Sequence, residues 1–205
     1  MEAVLESAET RPSRRLVLWM TVPALGVVGL LWWRRNIGSP DPLPASDSGE
    51  EVSLVEFSDA GARLGVTQVR KVVRSESDWW SRLTPQQFYV TRHHSTDMPF
   101  TGTYYRMHEN GLFRCVCCEN ALFSSDTKYD SGTGWPSFWA PIANENVRTV
   151  ETPGLSPRDA LQIGVEVLCK RCDAHLGHIF DDGPAPTNLR YCINESALRF
   201  VRRTG

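Results

Sequence analysis

The chain has 205 residues, a net charge of −2, seven tryptophans and six cysteines. That length holds one domain with a real core plus appendages. Residues 1–36 carry five Arg and three Glu, so the remainder sits at about −4, which argues against a nucleic-acid partner, and six cysteines are too sparse for a disulfide scaffold.

Residues 13–35 read SRRLVLWMTVPALGVVGLLWWRR, with an uncharged run of eighteen residues at 16–33 between Arg14/Arg15 and Arg34/Arg35. As a helix at about 1.5 Å per residue, the run measures roughly 27 Å, enough to cross a bilayer core. Trp19, Trp32 and Trp33 suit the two interfaces. A buried helix or a cleaved signal peptide is the alternative. The run ends in Trp-Trp-Arg-Arg, without the small residues that cleavage needs. We therefore expect residues 1–36 to be an uncleaved transmembrane anchor. Ser13-Arg14-Arg15-Leu16-Val17-Leu18 is also similar to the twin-arginine export signal of bacteria. That signal places the domain outside the cytoplasm, on the periplasmic side. The nearly symmetric arginine flanks keep a cytoplasmic-facing domain as the alternative. Glu2, Glu6 and Glu9 argue against a mitochondrial presequence.

Residues 37–50, IGSPDPLPASDSGE, are rich in Pro, Ser and Asp and read as a flexible linker. Residues 51–75 form an extension whose β-branched clusters, at 52–57 and 66–73, predict a hairpin of unassigned role. Short helical pieces follow at 77–83 and after Thr84, an N-cap with Pro85 at N1 and Gln87 at N3. From about residue 100, short β segments alternate with Gly, Pro and Asp turns: 101–105, 111–115, 121–124, 160–168, 178–180, 190–194 and 198–202. Residues 76–205 thus read as a compact, mainly β domain of antiparallel sheet with a few short helices.

Four motifs carry chemistry. Cys115/Cys118 and Cys169/Cys172 are two C-x-x-C knuckles, suited to one tetrahedral structural zinc. Two independent redox pairs are the alternative, and Cys117 is spare. The stretch between the knuckles is too long for a simple zinc ribbon. Next, DSGTGWPSFW at 130–139 holds Trp135 on a tight glycine loop ahead of Pro136. Trp135 is either a core residue or a rigid exposed ring for an apolar group or a positive sulfur centre. The third, AHLGHIFDDGP at 174–184, offers His175 and His178 as proton donors or acceptors, with Asp181 or Asp182 to orient them. The rival use of the histidines, as metal ligands with Cys169 and Cys172, strands Cys115 and Cys118. Last, RYCIN at 190–194 as a strand puts Arg190, Cys192 and Asn194 on one face. Arg190 then favours the Cys192 thiolate, the nucleophilic form. A buried, inert cysteine is the alternative.

The ordered set C-x-x-C, SGTGWPSFW, C-x-x-C, HLGHIFDDGP and RYCIN, with LTPQQFYVTR and PFTGTYY upstream, closely resembles the methionine sulfoxide reductase B family over roughly residues 76–203. The resemblance implies a zinc-stapled β fold that reduces methionine-R-sulfoxide, mainly in oxidised proteins, as repair under oxidative stress. It makes Cys192 the nucleophile. His178, with His175 and Asn194, serves the sulfoxide oxygen, and Arg190 and Asp182 support the thiolate and the histidine. Trp135 stacks on the sulfoxide methyl and shares the substrate-binding set with Phe180. Cys115, Cys118, Cys169 and Cys172 hold one Zn2+ away from the chemistry. Cys192 ends as a sulfenic acid, which a thioredoxin-like or other thiol reductant removes. Many members carry a resolving cysteine within G-C-G-W-P; this chain has Thr133 there, which makes it a one-cysteine type unless Cys117 resolves. A zinc-dependent binding module without catalysis is the reading from a different class, and it predicts that Cys192→Ser is harmless.

Overall fold

Thr84 starts a helix as its neighbours predict. In the computed structural model, which describes residues 46–150 and 153–203, its hydroxyl accepts from Gln87 N at 3.2 Å and Gln87 Oε1 accepts from Thr84 N at 3.0 Å, a full capping box. The helix, α2, spans Pro85–Arg92. It follows α1, Glu76–Arg82, which Ser75 caps through Asp78 N. The expected membrane anchor at 1–36 and most of the expected linker lie outside the described residues. Among the described residues, no helix is long and apolar enough to cross a membrane.

The predicted hairpin is present: β1 (Ser46–Phe57) pairs with β2 (Arg63–Val73). β1 begins inside the expected linker, so residues 46–50 are strand. The hairpin belongs to the same compact unit as the rest of the described chain, residues 44–205, rather than standing apart as an extension. Fully buried Asn146 holds it: Asn146 Oδ1 accepts from Val55 N, and its Nδ2 donates to Val55 O and Ala121 O, each at 2.8 Å. A buried backbone group left unpaired costs about 1–3 kcal/mol, which makes Asn146 an obligatory seat for β1.

The rest is antiparallel sheet. β3 (Gly111–Cys115), β4 (Ala121–Ser124) and β11 (Leu198–Arg202) form a three-stranded sheet ordered β11-β3-β4. β5 (Lys128–Tyr129), β6 (Ser137–Phe138), β7 (Val147–Thr149), β8 (Val165–Cys169), β9 (His175–Phe180) and β10 (Arg190–Ile193) form a six-stranded sheet ordered β5-β6-β10-β9-β8-β7. The core between them is aromatic. Phe138 of β6 stacks on Phe123 of β4 at 4.5 Å and meets Phe113 of β3 edge to face at 5.1 Å, all three fully buried.

Two expected strands are otherwise. Residues 101–105 form no strand: the chain bends into a 3-10 turn at Tyr104–Arg106, because the Glu195 carboxylate accepts from Thr103 N at 2.9 Å and Tyr104 N at 2.7 Å. Residues 160–168 divide into helix α3 (Pro157–Ile163) and β8, with Gly164 at φ 96° between them. Ser156 caps α3 through Asp159 N at 3.2 Å, with Pro157 behind it. This start signal outweighs the apolar texture that suggested one long strand.

Candidate active site

Strand register assembles the site around Cys192. On β10, Cys192 opposes His178 of β9 and Ser137 of β6. Glu166 of β8 opposes His178 in turn, and Tyr129 of β5 opposes Ser137. Opposed residues on antiparallel strands project to the same face. One file of side chains therefore crosses the sheet: Tyr129, Ser137, Cys192, His178, Glu166.

His175 lies three residues before His178 and on a regular strand would face away. β9 has a bulge there. His175 opposes Leu168 while Gly177 opposes Val167, which leaves Leu176 as the extra residue. The bulge returns His175 to the side of His178, and the two rings meet edge to face at 5.4 Å. Gly177 is required where β9 crosses β10: a Cβ there would sit 2.1 Å from the Cys192 carbonyl oxygen.

The glycine loop brings Trp135 to the same place. Gly134 takes φ 89° and its carbonyl accepts from Phe100 N at 2.9 Å. The indole Nε1 of Trp135 donates to Asp97 O at 2.9 Å. Asp97 is itself a buried hub. Its carboxylate accepts from Gln86, Ser196 Oγ and Ser196 N at 2.7–2.8 Å, and its own N–H donates to Asn194 Oδ1 at 2.9 Å. Trp135, His178, Phe180, Cys192 and Asn194, with Thr96 and Gly177, line a cleft of 130 Å³, room for one small group such as the end of a methionine side chain.

The electrostatics differ in part from the sequence expectation. Burial pushes the Cys192 thiol up, and this exceeds the opposing pull of Arg190 and of the Thr133 hydroxyl, whose Oγ1 is 4.0 Å from Cys192 Sγ. Arg190 alone therefore does not make a resting thiolate; it offsets part of the cost of burying one. Burial also holds His178 below its ordinary value, against a smaller upward effect of Glu166. Both histidines are thus neutral near pH 7, since His175 is lowered by burial too, with Glu166 opposing.

Asp182 does not orient a histidine. It makes a two-pronged ion pair with Arg190, at 2.8 and 2.9 Å, and Arg190 holds Asp182 below the usual carboxylate range. The same guanidinium lies 4.2 Å over the Phe180 ring. Asp182 and Phe180 thus fix Arg190 beside Cys192. The carboxylate facing the histidines is Glu166, whose Oε1 is 2.6 Å from His175 Nδ1. Asn194 is buried with its amide on backbone groups: Oδ1 takes Asp97 N, and Nδ2 donates to Leu176 O at 3.2 Å. It braces the cleft wall. Glu166 and Asp97 escaped the sequence reading. Glu166 had one signal, a lone acid in the apolar run VEVLC; Asp97 had none, because its partners come from α2, the Trp135 loop and the stretch after β10.

The two cysteine knuckles share one hydrogen-bond pattern. Glu119 N donates to Cys115 O and Asp173 N to Cys169 O, at 2.9 and 3.0 Å, while Cys115 N donates to Asn120 O and Cys169 N to Ala174 O, at 2.8 and 2.9 Å. Glu119 and Asp173 take left-handed backbones, φ 64° and 54°. The turns aim four sulfurs at one point. Cys115 and Cys172 Sγ are 3.7 Å apart, Cys118 and Cys169 Sγ 3.6 Å, and all four lie within 4.8 Å of one another. Tetrahedral zinc with bonds of about 2.3 Å separates its sulfurs by roughly 3.8 Å, so the residues fit the ion. All six cysteines are free thiols, none of them in a disulfide. Cys117 faces Cys115, Cys172 and Thr91 within this cluster.

The SelR domain family matches residues 83–202. A peptide methionine sulfoxide reductase MsrB of Hahella chejuensis is 51% identical over 135 residues, which cover 66% of this chain and 94% of that protein. The chloroplastic peptide methionine sulfoxide reductase B1 of Arabidopsis thaliana is 43% identical over 166 residues, 80% of this chain and 72% of that protein. The mitochondrial methionine-R-sulfoxide reductase B2 of Rattus norvegicus is 49% identical over 133 residues, 63% of this chain and 76% of that protein.

Proposed function

The chain belongs to the methionine sulfoxide reductase B family, and on that premise we propose that it reduces methionine-R-sulfoxide in oxidised proteins by a one-cysteine route through Cys192. The observation that carries the reading is the direct opposition of Cys192 and His178 across β9 and β10, at a cleft walled by Trp135. The sulfoxide methyl rests against Trp135, and its oxygen faces His178. The Cys192 proton passes to the oxygen by way of His178 while Cys192 sulfur attacks the sulfoxide sulfur. Thiol plus sulfoxide thus become methionine plus Cys192 sulfenic acid. An external thiol then forms a mixed disulfide with Cys192 and releases water, and a second thiol frees Cys192. Thr133, beside the Cys192 sulfur, cannot form a disulfide. Cys115, Cys118, Cys169 and Cys172 hold one zinc, whose contribution when bound is to cross-link β3 and β8. The test of the activity is reduction of the R epimer of a methionine sulfoxide peptide by the full chain with dithiothreitol; an R epimer left intact overturns it.

The pH profile follows from the two shifts. The reacting pair needs one proton shared between Cys192 and His178. Below the His178 pKa a second proton binds and protects the nucleophile. Above the Cys192 pKa the pair lacks the acid. Burial lowers the first limit and raises the second. Single-turnover methionine formation without added thiol should therefore hold a plateau through neutral pH, with an acid limb below the ordinary imidazole range and an alkaline limb above the ordinary thiol range. Alkylation of Cys192 should be slow at neutral pH and rise on the alkaline limb. A rapidly alkylated thiol at pH 7 contradicts this.

We further propose that residues 16–33 anchor the protein in a membrane, with the domain on the periplasmic side, on the strength of the uncharged run and the twin-arginine pattern. The full-length protein should sediment with membranes, and deletion of residues 1–36 should release it. External protease should reach the domain in cells with an opened outer envelope. Recovery of the full-length chain in the soluble fraction overturns the anchor.

A further inference from the structure

Among the described residues, one cluster of metal-binding side chains remains outside the cysteine site. His94 Nδ1 and His175 Nδ1 both approach Glu166 Oε1, at 2.5 and 2.6 Å, and the three ligand atoms lie within 4.8 Å of one another. Each comes from a different element. His94 follows α2 in a left-handed backbone, φ 54°; Glu166 is on β8; His175 is on the bulged start of β9. A left-handed conformation at a non-glycine residue is a cost that surrounding structure must sustain. His175 has a 2% exposed side chain, and its Nε2 finds no partner among the described residues, so the polar contact it makes there points into this cluster. His94, at 58%, opens it to solvent.

We propose that His94, Glu166 and His175 form a second metal site, which takes a borderline first-row divalent cation such as zinc through two imidazoles and a carboxylate and leaves one position to water. That donor set suits zinc and its neighbours rather than calcium or magnesium. Bonds of about 2.0–2.1 Å separate tetrahedral ligands by roughly 3.4 Å, so the ion spreads the cluster by somewhat less than an ångström, a movement open to exposed His94. The ion displaces the protons that now bridge the two rings and Glu166. It also leaves a net positive site one ring away from His178, since the His175 and His178 rings are 5.4 Å apart.

The test is zinc titration of the full-length protein already carrying one zinc per chain. A second equivalent should bind. Cobalt at the same site should give visible bands without the near-ultraviolet sulfur-to-metal absorption. His94→Ala should weaken the second equivalent by about 100-fold or more, at least the loss seen when metal-site support is removed. The variant should keep its basal activity, since His94 does not line the cleft. Cys192→Ser should leave the second equivalent in place. No second equivalent, binding that survives His94→Ala, or a thiolate absorption lost with Cys192→Ser overturns the site.

Discussion

Cys192→Ser should abolish methionine formation and leave the fold and the cysteine metal site intact. A serine hydroxyl is a far weaker nucleophile toward sulfur than a thiol, even with Arg190 and the Thr133 hydroxyl beside it. The expected loss is on the order of 10⁴-fold or more, the scale of removing a nucleophile from an enzyme that depends on it. The fold should persist because the change is nearly isosteric and Cys192 is only partly buried. The one-cysteine route makes a sharper claim about the wild type. Without thiol, it should form one equivalent of methionine and stop, one oxygen heavier at Cys192. Cys117→Ser should behave identically and keep thiol-dependent turnover. A chain two hydrogens lighter instead of one oxygen heavier makes Cys117 a resolving residue. Full activity in Cys192→Ser overturns Cys192 as the nucleophile.

Local pattern explains which parts of this site were legible. Alternation along RYCIN puts Arg190 beside Cys192 because both belong to one short strand, and the knuckles are legible because each closes within five residues. His178 opposite Cys192 was not. That pairing depends on the β9–β10 register, which the loop between Phe180 and Arg190 sets. The His175–His178 pairing needs a bulge at Leu176 that no periodicity predicts. Asp182 was assigned to a histidine on sequence proximity, but its carboxylate meets Arg190 across the strand ends. The hairpin was legible as strands, yet not its seat, since Asn146 lies 91 positions from Val55. Short-range chemistry thus marks the reactive atoms, and long-range register decides which carboxylate serves which base.

Removing zinc should unfold the domain rather than merely inactivate it. The four sulfurs tie the end of β3 to the end of β8, so they join the three-stranded sheet to the six-stranded one. Cys115, Cys169 and Cys172 are buried. Without a cation, their thiols are packed chiefly against one another, with one amide donor, Asn120 Nδ2, 3.6 Å from Cys169 Sγ. Structural zinc sites bind with roughly 10–16 kcal/mol near pH 7, comparable to the whole stability of a domain, about 5–15 kcal/mol. Purified protein should carry one tightly held zinc per chain. Chelation, or Cys118→Ser, should lower Tm by more than about 10 °C, since each kcal/mol is worth several degrees in a domain of this size. Because coordinated sulfur must be thiolate, acid should release the ion and the fold together. Four protein ligands leave zinc no open position, so cadmium, a thiolate-seeking ion of similar preference, should restore both melting temperature and methionine formation. Restoration of the fold without the activity would place zinc in the chemistry, and a chelated domain that melts as before would remove it from the fold.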